Sequence, residues 1–180
     1  MSTDQSQSEV TLDSIQLQGS YSWSRFGWTL GIGILVVALD QLTKIWALNS
    51  LESNGTAKRF IGEFIQLRLV YNSGAAFSFG EELTGLLTFL ACVAVVGVMV
   101  VSGRLTTRVW MIAGALIWGG AAGNLTDRLF RAPGFPTGHV VDFIDYGPFI
   151  GNIADIAIFL AAVIVIILAL QGSPALLKKK

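Results

Sequence analysis

The sequence predicts a mainly α-helical, polytopic membrane protein with four transmembrane helices and a small extracytoplasmic β-sheet. Hydrophobic residues make up 53% of the 180 residues, charged residues make up only 13%, and the mean hydropathy is +0.64. This composition is too apolar for an ordinary soluble domain. Four apolar stretches also reach the length of about 20 residues that a helix needs to cross a bilayer. They lie near residues 26–48, 83–102, 108–127 and 152–171.

The four predicted spans differ in the residues that interrupt their apolar sequence. The first span contains Asp40 and Lys44 near its end, whereas the second span has no charged residue. The third span holds Gly119 and Gly123, a spacing of small residues that lets two helices approach closely. The fourth span begins with polar residues and continues as Ala, Val, Ile and Leu.

The loop between the first two spans, residues 49–82, contains a predicted β-strand. From Glu63 to Tyr71, apolar residues alternate partly with polar ones, which is typical of a half-buried strand. Small residues follow at 72–78, among them Gly74, and they would let the backbone of a ligand come close. We therefore expect the small extracytoplasmic sheet in this loop.

Both ends of the chain are predicted to lie in the cytoplasm and to flank a membrane domain at 23–172. Residues 1–22 are polar without an apolar period, which predicts a disordered tail, and their acidic start differs from a secretory signal. Residues 173–180 form a basic tail. The excess of lysine and arginine favours this orientation weakly. Six basic residues lie on the predicted cytoplasmic side and five on the other side. The six are Arg25, Arg104, Arg108 and Lys178 to Lys180, and the five are Lys58, Arg59, Arg68, Arg128 and Arg131.

Charge and cysteine content exclude several classes of function. The twelve basic and twelve acidic residues cancel, so the chain offers no broad basic surface for nucleic acid. Cys92 is the only cysteine, which excludes an intrachain disulfide and a metal site built from cysteines. The HExxH motif and comparable ligand spacings are also missing from the sequence, so we expect neither a metal nor a cofactor.

Polar residues of different spans are predicted to meet at one membrane face. In four antiparallel spans, the end of the first, the end of the third and the start of the fourth lie at the same face, together with loops 49–82 and 128–151. A carboxylate at membrane depth costs about 2.5–3.5 kcal/mol, so a chain keeps one there mainly for a purpose. The polar residues that gather at this face are Asp40, Lys44, Asn72, Asn124, Asp127, Arg128, Asp142, Asn152 and Asp155.

Asp142 and Asp155 are the candidate catalytic pair. Two neighbouring carboxylates cannot both ionise cheaply, so they share a proton: one acts as a base on water, and the other donates to a carbonyl oxygen. Aspartic proteases use this arrangement. A serine mechanism would instead need the only histidine, His139, as its base.

Five sequence blocks resemble the motifs of lipoprotein signal peptidases, the signal peptidase II or A8 family of aspartic peptidases. They occur in the order of the family and extend over most of residues 26–171. The blocks are DQLTK at 40–44, NSGAAFS at 72–78, GGAAGNLTDR at 119–128, VVDF at 140–143 and NIAD at 152–155.

The resemblance implies a four-helix protease of the bacterial inner membrane that removes the signal peptide of a diacylglyceryl-modified prolipoprotein, cutting before the lipidated cysteine. It implies Asp142 and Asp155 as the catalytic residues, contact with membrane lipid, and inhibition by globomycin-type cyclic peptides. It assigns supporting roles to Asp40, Lys44, Asn72, Gly74, Gly120, Asn124, Asp127, Arg128, Asn152 and Ala154. The chain departs from the family pattern at Gly151, where phenylalanine is usual, and in a Pro- and Gly-rich insertion at 131–137 that could stiffen a loop over the site.

The supporting residues are predicted to have different roles. Asp40 and Lys44 are four residues apart on a helix and can form a salt bridge, while Asp127 is expected to balance charge or to position other groups. We expect Asn72 and Asn124 to bind the substrate backbone and Asn152 to support the site. Arg128 has two open interpretations, binding of a lipid phosphate or capping of the bundle.

Two other classes of function remain open at the level of the residues. A proton- or ion-coupled carrier would use Asp40, Asp127 and Asp155 as a relay across the membrane. The acidic residues gather at one face instead, and the second span has none, so the sequence marks no path through the bundle. A purely structural lipid-binding protein is the third interpretation, and only the motifs argue against it.

Overall fold

The protein is described by a computed structural model, which covers residues 20–53, 55–74 and 84–177. Four helices in this part of the chain are long and apolar enough to cross a membrane, as the sequence predicts. They are α1 (Trp23–Ser50), α2 (Thr84–Ser102), α3 (Arg108–Phe130) and α4 (Ile153–Leu170). Four strands accompany them: β1 (Lys58–Ile61), β2 (Ile65–Asn72), β3 (Val140–Asp145) and β4 (Ile150–Gly151).

Helix α3 lies at the centre of the bundle and packs against α1, α2 and α4. Its glycines make this possible because they bring the backbones together. A Cβ at Gly119 would lie 2.7 Å from the carbonyl oxygen of Gly33 in α1, and a Cβ at Gly120 would lie 2.6 Å from that of Ala154 in α4. Neighbouring glycines of α3 therefore face two different helices.

Helix α3 also continues to Phe130, beyond the predicted end of the third span at 127. The backbone N–H of Arg131 donates to the carbonyl of Asp127, and the side chain of Arg131 pairs with the Asp127 carboxylate at 2.7 Å. Both contacts stabilise the last turn. The extension brings Arg131 back over the polar end of the bundle.

The four strands form one antiparallel sheet in the order β1-β2-β3-β4. The predicted strand at 63–71 is present as β2, and the sheet also recruits two strands from the loop before α4. Its apolar residues cover the end of α1 in a small core of Ala47, Leu51, Leu69, Val141 and Phe143. In the register of the sheet, Val70 lies opposite Asp142.

The opposite end of the bundle is formed by residues near 22 and 177 and by the connection between α2 and α3, and we call it the terminal face. Ser22 caps α1 and donates its backbone N–H to Gly103, and Leu177 donates to Arg104. Residues 1–19 of the predicted N-terminal tail and 178–180 of the basic tail lie outside the described residues. The end that carries the sheet is called the site face.

Candidate active site

Asp142 and Asp155 meet at the site face on two different kinds of structure. Asp142 belongs to β3 and is 2% exposed, whereas Asp155 lies in the first turn of α4. Asn152 caps this helix: its side chain accepts from the N–H of Asp155 at 3.1 Å, and the Asp155 carboxylate accepts from the N–H of Asn152 at 3.0 Å. This reciprocal cap fixes the position of Asp155 relative to the helix axis.

Asn152 also joins the two carboxylates to each other. Its amide nitrogen donates to Oδ1 of Asp142 at 2.6 Å, and its backbone N–H donates to Oδ2 of Asp155. The same amide nitrogen donates to Oδ1 of Asn124 at 3.1 Å. Asn152 thus forms a bridge between β3, α3 and α4.

Two further asparagines occupy the remaining carboxylate oxygens. Asn72 donates to Oδ2 of Asp142 at 2.7 Å, and Asn124 donates to Oδ1 of Asp155 at 2.9 Å. Each of the four carboxylate oxygens therefore accepts one N–H. The contact of Asn72 and Asn124 with the substrate backbone stays a prediction, and in the structure the amide nitrogen of each donates to one of the two aspartates and holds it in place.

Gly74 holds the end of β2 in the geometry that Asn72 requires. Its N–H donates to Oδ1 of Asn72 at 2.7 Å, which turns the amide nitrogen towards Asp142. Gly74 has a φ of +101°, a conformation that residues with a side chain rarely adopt. A Cβ there would also lie 2.9 Å from Leu87, so the position accepts little besides glycine.

The environment of Asp142 favours its protonated form. Burial, and after it the negative charge of Asp155, raise the pKa of Asp142 to about 7, although hydrogen bonds from Asn72 and Asn152 act in the opposite direction. Below about pH 7 the protonated form of Asp142 therefore predominates. One proton on two adjacent carboxylates is the state that acid–base catalysis on a peptide bond requires.

Below the pair, Lys44 forms a buried ionic cluster with Asp40 and Asp127. Its Nζ lies 2.8 Å from Oδ2 of each aspartate and donates to Oδ1 of Asn124 at 3.0 Å. All three charged side chains are 0% exposed. The predicted Asp40–Lys44 salt bridge is confirmed, and Lys44 supports Asn124, which in turn holds Asp155.

The two aspartates of this cluster extend the support to the rest of the site. Oδ1 of Asp40 accepts from the N–H of Ala154 at 3.0 Å, and Oδ2 of Asp127 accepts from the N–H of Val141 at 3.1 Å. Asp127 thereby fixes β3 directly beside Asp142. Gly120 allows α3 to lie against Ala154.

Two residues that contact the ionic cluster, Gln41 and Arg131, are not among those predicted from the sequence. The side-chain amide of Gln41 donates to Asp40, Asp127 and the carbonyl of Gly123, at 3.1 to 3.2 Å. Arg131 completes the charge balance through its contact with Asp127. Arg131 is four residues from Asp127, so the helical spacing rule that pairs Asp40 with Lys44 would have found it had the helix been extended far enough.

The buried side chain of Arg128 can donate a further hydrogen bond. It is 8% exposed, and its Nη1 has no hydrogen-bond partner among the described residues. The charges of Asp142, Asp127 and Asp155 all act on it. An unpaired guanidinium N–H beside two carboxylates is suited to bind an oxygen of a ligand.

A cleft opens beside Asp142. It has a volume of about 290 Å³ and is lined by Val70, Tyr71, Asn72, Ser73, Asp142, Pro148, Phe149 and Ile150. Tyr146 stacks on Phe149 with ring centroids 4.7 Å apart, which shapes the rim. The cleft thus combines a largely apolar wall with one end of the carboxylate pair, as a peptide-binding site would.

The 131–137 insertion packs beside the site. Its Pro136 carbonyl accepts from Thr88 of α2 at 2.7 Å, and Ala132 accepts from the N–H of His139. Among the described residues, His139 forms neither a hydrogen bond nor an ion pair with Asp142 or Asp155. No group of three or more histidine, cysteine or acidic side chains in this part of the chain could hold a metal ion.

Fold and site together define a multi-pass membrane protein with a paired-carboxylate site at one end of a four-helix bundle. Comparison with known proteins agrees with this class. The chain matches the family model of signal peptidase (SPase) II over residues 32–171. On this evidence the chain belongs to the signal peptidase II family and is a protease.

Curated relatives and solved structures support the assignment. The chain is 43% identical to a lipoprotein signal peptidase of Bifidobacterium adolescentis over 143 residues, which cover 79% of this chain and 76% of the relative. It is 40% identical to that of Mycobacterium tuberculosis over 144 residues, covering 79% and 71%. A solved bacterial membrane enzyme superposes with a TM-score of 0.71 at 25% identity, covering 84% of this chain and 96% of the other. These comparisons give no support to the carrier interpretation.

Proposed function

We propose that the protein is an aspartic endopeptidase that uses Asp142 and Asp155 to remove the signal peptide of diacylglyceryl-modified prolipoproteins, cutting before the lipidated cysteine. The observation that carries the mechanism is the placement of one N–H donor on each of the four carboxylate oxygens. The relatives are named lipoprotein signal peptidases, which supports the substrate class.

The mechanism follows from the shared proton of the pair. Asp142, with its raised pKa, carries the proton and donates it to the oxygen of the scissile carbonyl. Asp155 accepts a proton from the attacking water, and the donors Asn124 and Asn152 hold its carboxylate in position. Arg128 binds a carbonyl oxygen of the substrate with its free N–H.

The lipid part of the substrate stays in the bilayer. Large apolar side chains cover the outer surfaces of the helices, so acyl chains can remain in membrane while the peptide enters the cleft beside Asp142. A globomycin-type cyclic peptide would inhibit by placing a hydroxyl between Asp142 and Asp155. The site face is extracytoplasmic and both termini are cytoplasmic in the bacterial inner membrane, in line with the basic residues of the terminal face.

Processing of a diacylated prolipoprotein by purified enzyme tests this proposal. Asp142→Asn and Asp155→Asn each remove one acid–base group, so each should lower the rate of cleavage at least about 100-fold. Asp145→Asn is the matched control, because Asp145 lies in the same strand as Asp142 but pairs with Arg68 and does not belong to the catalytic pair. It should cleave at nearly the wild-type rate and remain sensitive to a globomycin-type inhibitor.

Folding of the three variants is compared by thermal unfolding in detergent. Cleavage at the wild-type rate by a folded Asp142→Asn or Asp155→Asn variant contradicts the assignment of the catalytic pair. Loss of cleavage in all three folded variants, including Asp145→Asn, contradicts a role that is specific to Asp142 and Asp155.

A further inference from the structure

An open groove lies at the terminal face, far from the carboxylates. It consists of two adjoining cavities of about 240 and 510 Å³ that share Trp28 and Ile32. The lining residues come from α1 and the start of α3, and we call this surface the α1 groove. Besides Trp28 and Ile32, they include Ser24, Gly27, Gly31, Leu35 and Arg108.

The glycines of the groove serve no helix packing. A Cβ at Gly33 would lie 2.5 Å from the ring of Trp118, so that glycine is needed where α1 meets α3. At Gly27 and Gly31, by contrast, a Cβ would meet nothing within 4 Å. These two glycines leave a furrow on a helix that crosses the membrane, and the furrow is open to whatever surrounds the protein.

The length of the furrow fits one lipid chain. From Ser24 to Leu35 the helix rises about 17 Å, and one leaflet contributes about half of a hydrocarbon core of roughly 30 Å. Its walls are apolar apart from Ser24 and Arg108. Such a surface would bury an acyl chain that starts near the membrane interface.

The charged end of the groove is basic. Arg108 is exposed, lines the first cavity and forms no ion pair within the described part of the chain. Arg25 and Arg104 lie at the same face. Acidic residues among those the structure describes all belong to the site-face half of the molecule. They are Asp40, Glu52, Glu63, Asp127, Asp142, Asp145 and Asp155.

We propose that the α1 groove binds an anionic phospholipid of the leaflet at the terminal face, with an acyl chain on Gly27, Gly31 and Leu35 and the phosphate on Arg108. Charge complementarity selects an anionic over a zwitterionic headgroup, because the described residues of this face offer no carboxylate to a positive headgroup. A basic interface alone would attract anionic lipid without a cavity, whereas this site requires both the arginine and the furrow.

Native mass spectrometry of the delipidated full-length protein in detergent tests the site. Titration with dioleoyl-phosphatidylglycerol should give a first adduct that forms more tightly than that of dioleoyl-phosphatidylcholine. Arg108→Gln should weaken this adduct roughly fivefold, the equivalent of about 1 kcal/mol. The control Arg59→Gln changes an exposed arginine of the hairpin at the other face and should leave the adduct unchanged.

The furrow itself is tested by filling it. Gly31→Phe places a ring in the open space and should abolish the preference for phosphatidylglycerol. Gly97→Phe is its matched control, because Gly97 in α2 also has nothing within 4 Å and lines neither of the two cavities. Both variants should unfold at the same temperature as the wild type.

Three results would overturn the proposal. Equal binding of the two lipids contradicts selection by charge. Equal effects of Arg108→Gln and Arg59→Gln on the phosphatidylglycerol adduct contradict the phosphate contact assigned to Arg108. The third is phosphatidylglycerol binding that appears only after deletion of residues 2–19. In that case the occupant of the groove is the acidic N-terminal segment of the chain itself, which carries Asp4, Glu9 and Asp13.

Discussion

Replacing Lys44 by methionine should destabilise the protein by about 3–5 kcal/mol. Methionine has a similar length, so the change removes charge and hydrogen bonding with little loss of volume. Lys44 is the only cation between Asp40 and Asp127 that touches both carboxylates in the described structure, at 2.8 Å each. Without it, two buried carboxylates face each other.

The magnitude follows from the burial of the cluster. Removing one partner of a buried ion pair costs about 3–5 kcal/mol, because the remaining charge has lost its solvent and its partner. All three side chains are 0% exposed, so water gives no screening. Arg131 still contacts Asp127, which leaves Asp40 as the main uncompensated charge. For a chain of this size the loss lowers the unfolding temperature by about 6–20 °C.

Thermal unfolding in one detergent at one scan rate measures this change. Lys58→Met is the matched control, because Lys58 is exposed and its contact with the carbonyl of Ser50 lies at the surface, and it should stay within about 0.5 kcal/mol of the wild type. The double variant Asp40→Asn/Lys44→Met removes the uncompensated charge and should recover part of the loss. The reasoning fails if Lys44→Met unfolds like Lys58→Met, or if the double variant is less stable than the single one.

Two further outcomes are expected. Because the pKa of Asp142 is raised to about 7, the shared proton is lost above that pH, and cleavage should fall by about tenfold per pH unit in the alkaline limb of the rate profile. The same shift stabilises the folded state below the unfolded pKa of Asp142, and this contribution is lost as pH rises towards 7. An Asp142→Asn variant should therefore show a flatter dependence of unfolding temperature on pH between about 4 and 7, and an equal slope would contradict the shift. Gly120→Ala should lower stability by about 1–3 kcal/mol, since its Cβ would meet the carbonyl of Ala154, while Gly97→Ala, in open space, should be neutral or slightly stabilising.

Much of the fold is accessible from the sequence because it depends on local signals. Each apolar stretch reaches about the length of a membrane span, and antiparallel order alone brings Asp40, Asn124 and Asp155 to one face. The Asp40–Lys44 pair follows from helical spacing in the same way. The alternation before Asn72 likewise predicts β2.

The parts that the sequence does not reveal depend on contacts between distant elements. Strands β3 and β4 are short, and β2 pairs with β3 through an irregular register that no alternation pattern encodes. The second partner of Lys44, Asp127, lies on another helix, so helical spacing cannot find it. The amide groups of Asn72 and Asn124 have several possible partners, and only tertiary structure decides that they hold aspartates.

No other amino acid can replace asparagine in all of its contacts at position 152, the start of α4. Asparagine, aspartate and serine begin helices about equally well, because each offers an oxygen to the first turn. At position 152 the side chain must also supply the nitrogen that reaches Asp142 and Asn124. Aspartate would bring a third negative charge to the pair, and serine is too short to reach both. Judged by helix capping alone, several residues would therefore be tolerated at this position, although only the native asparagine both begins the helix and joins the two carboxylates.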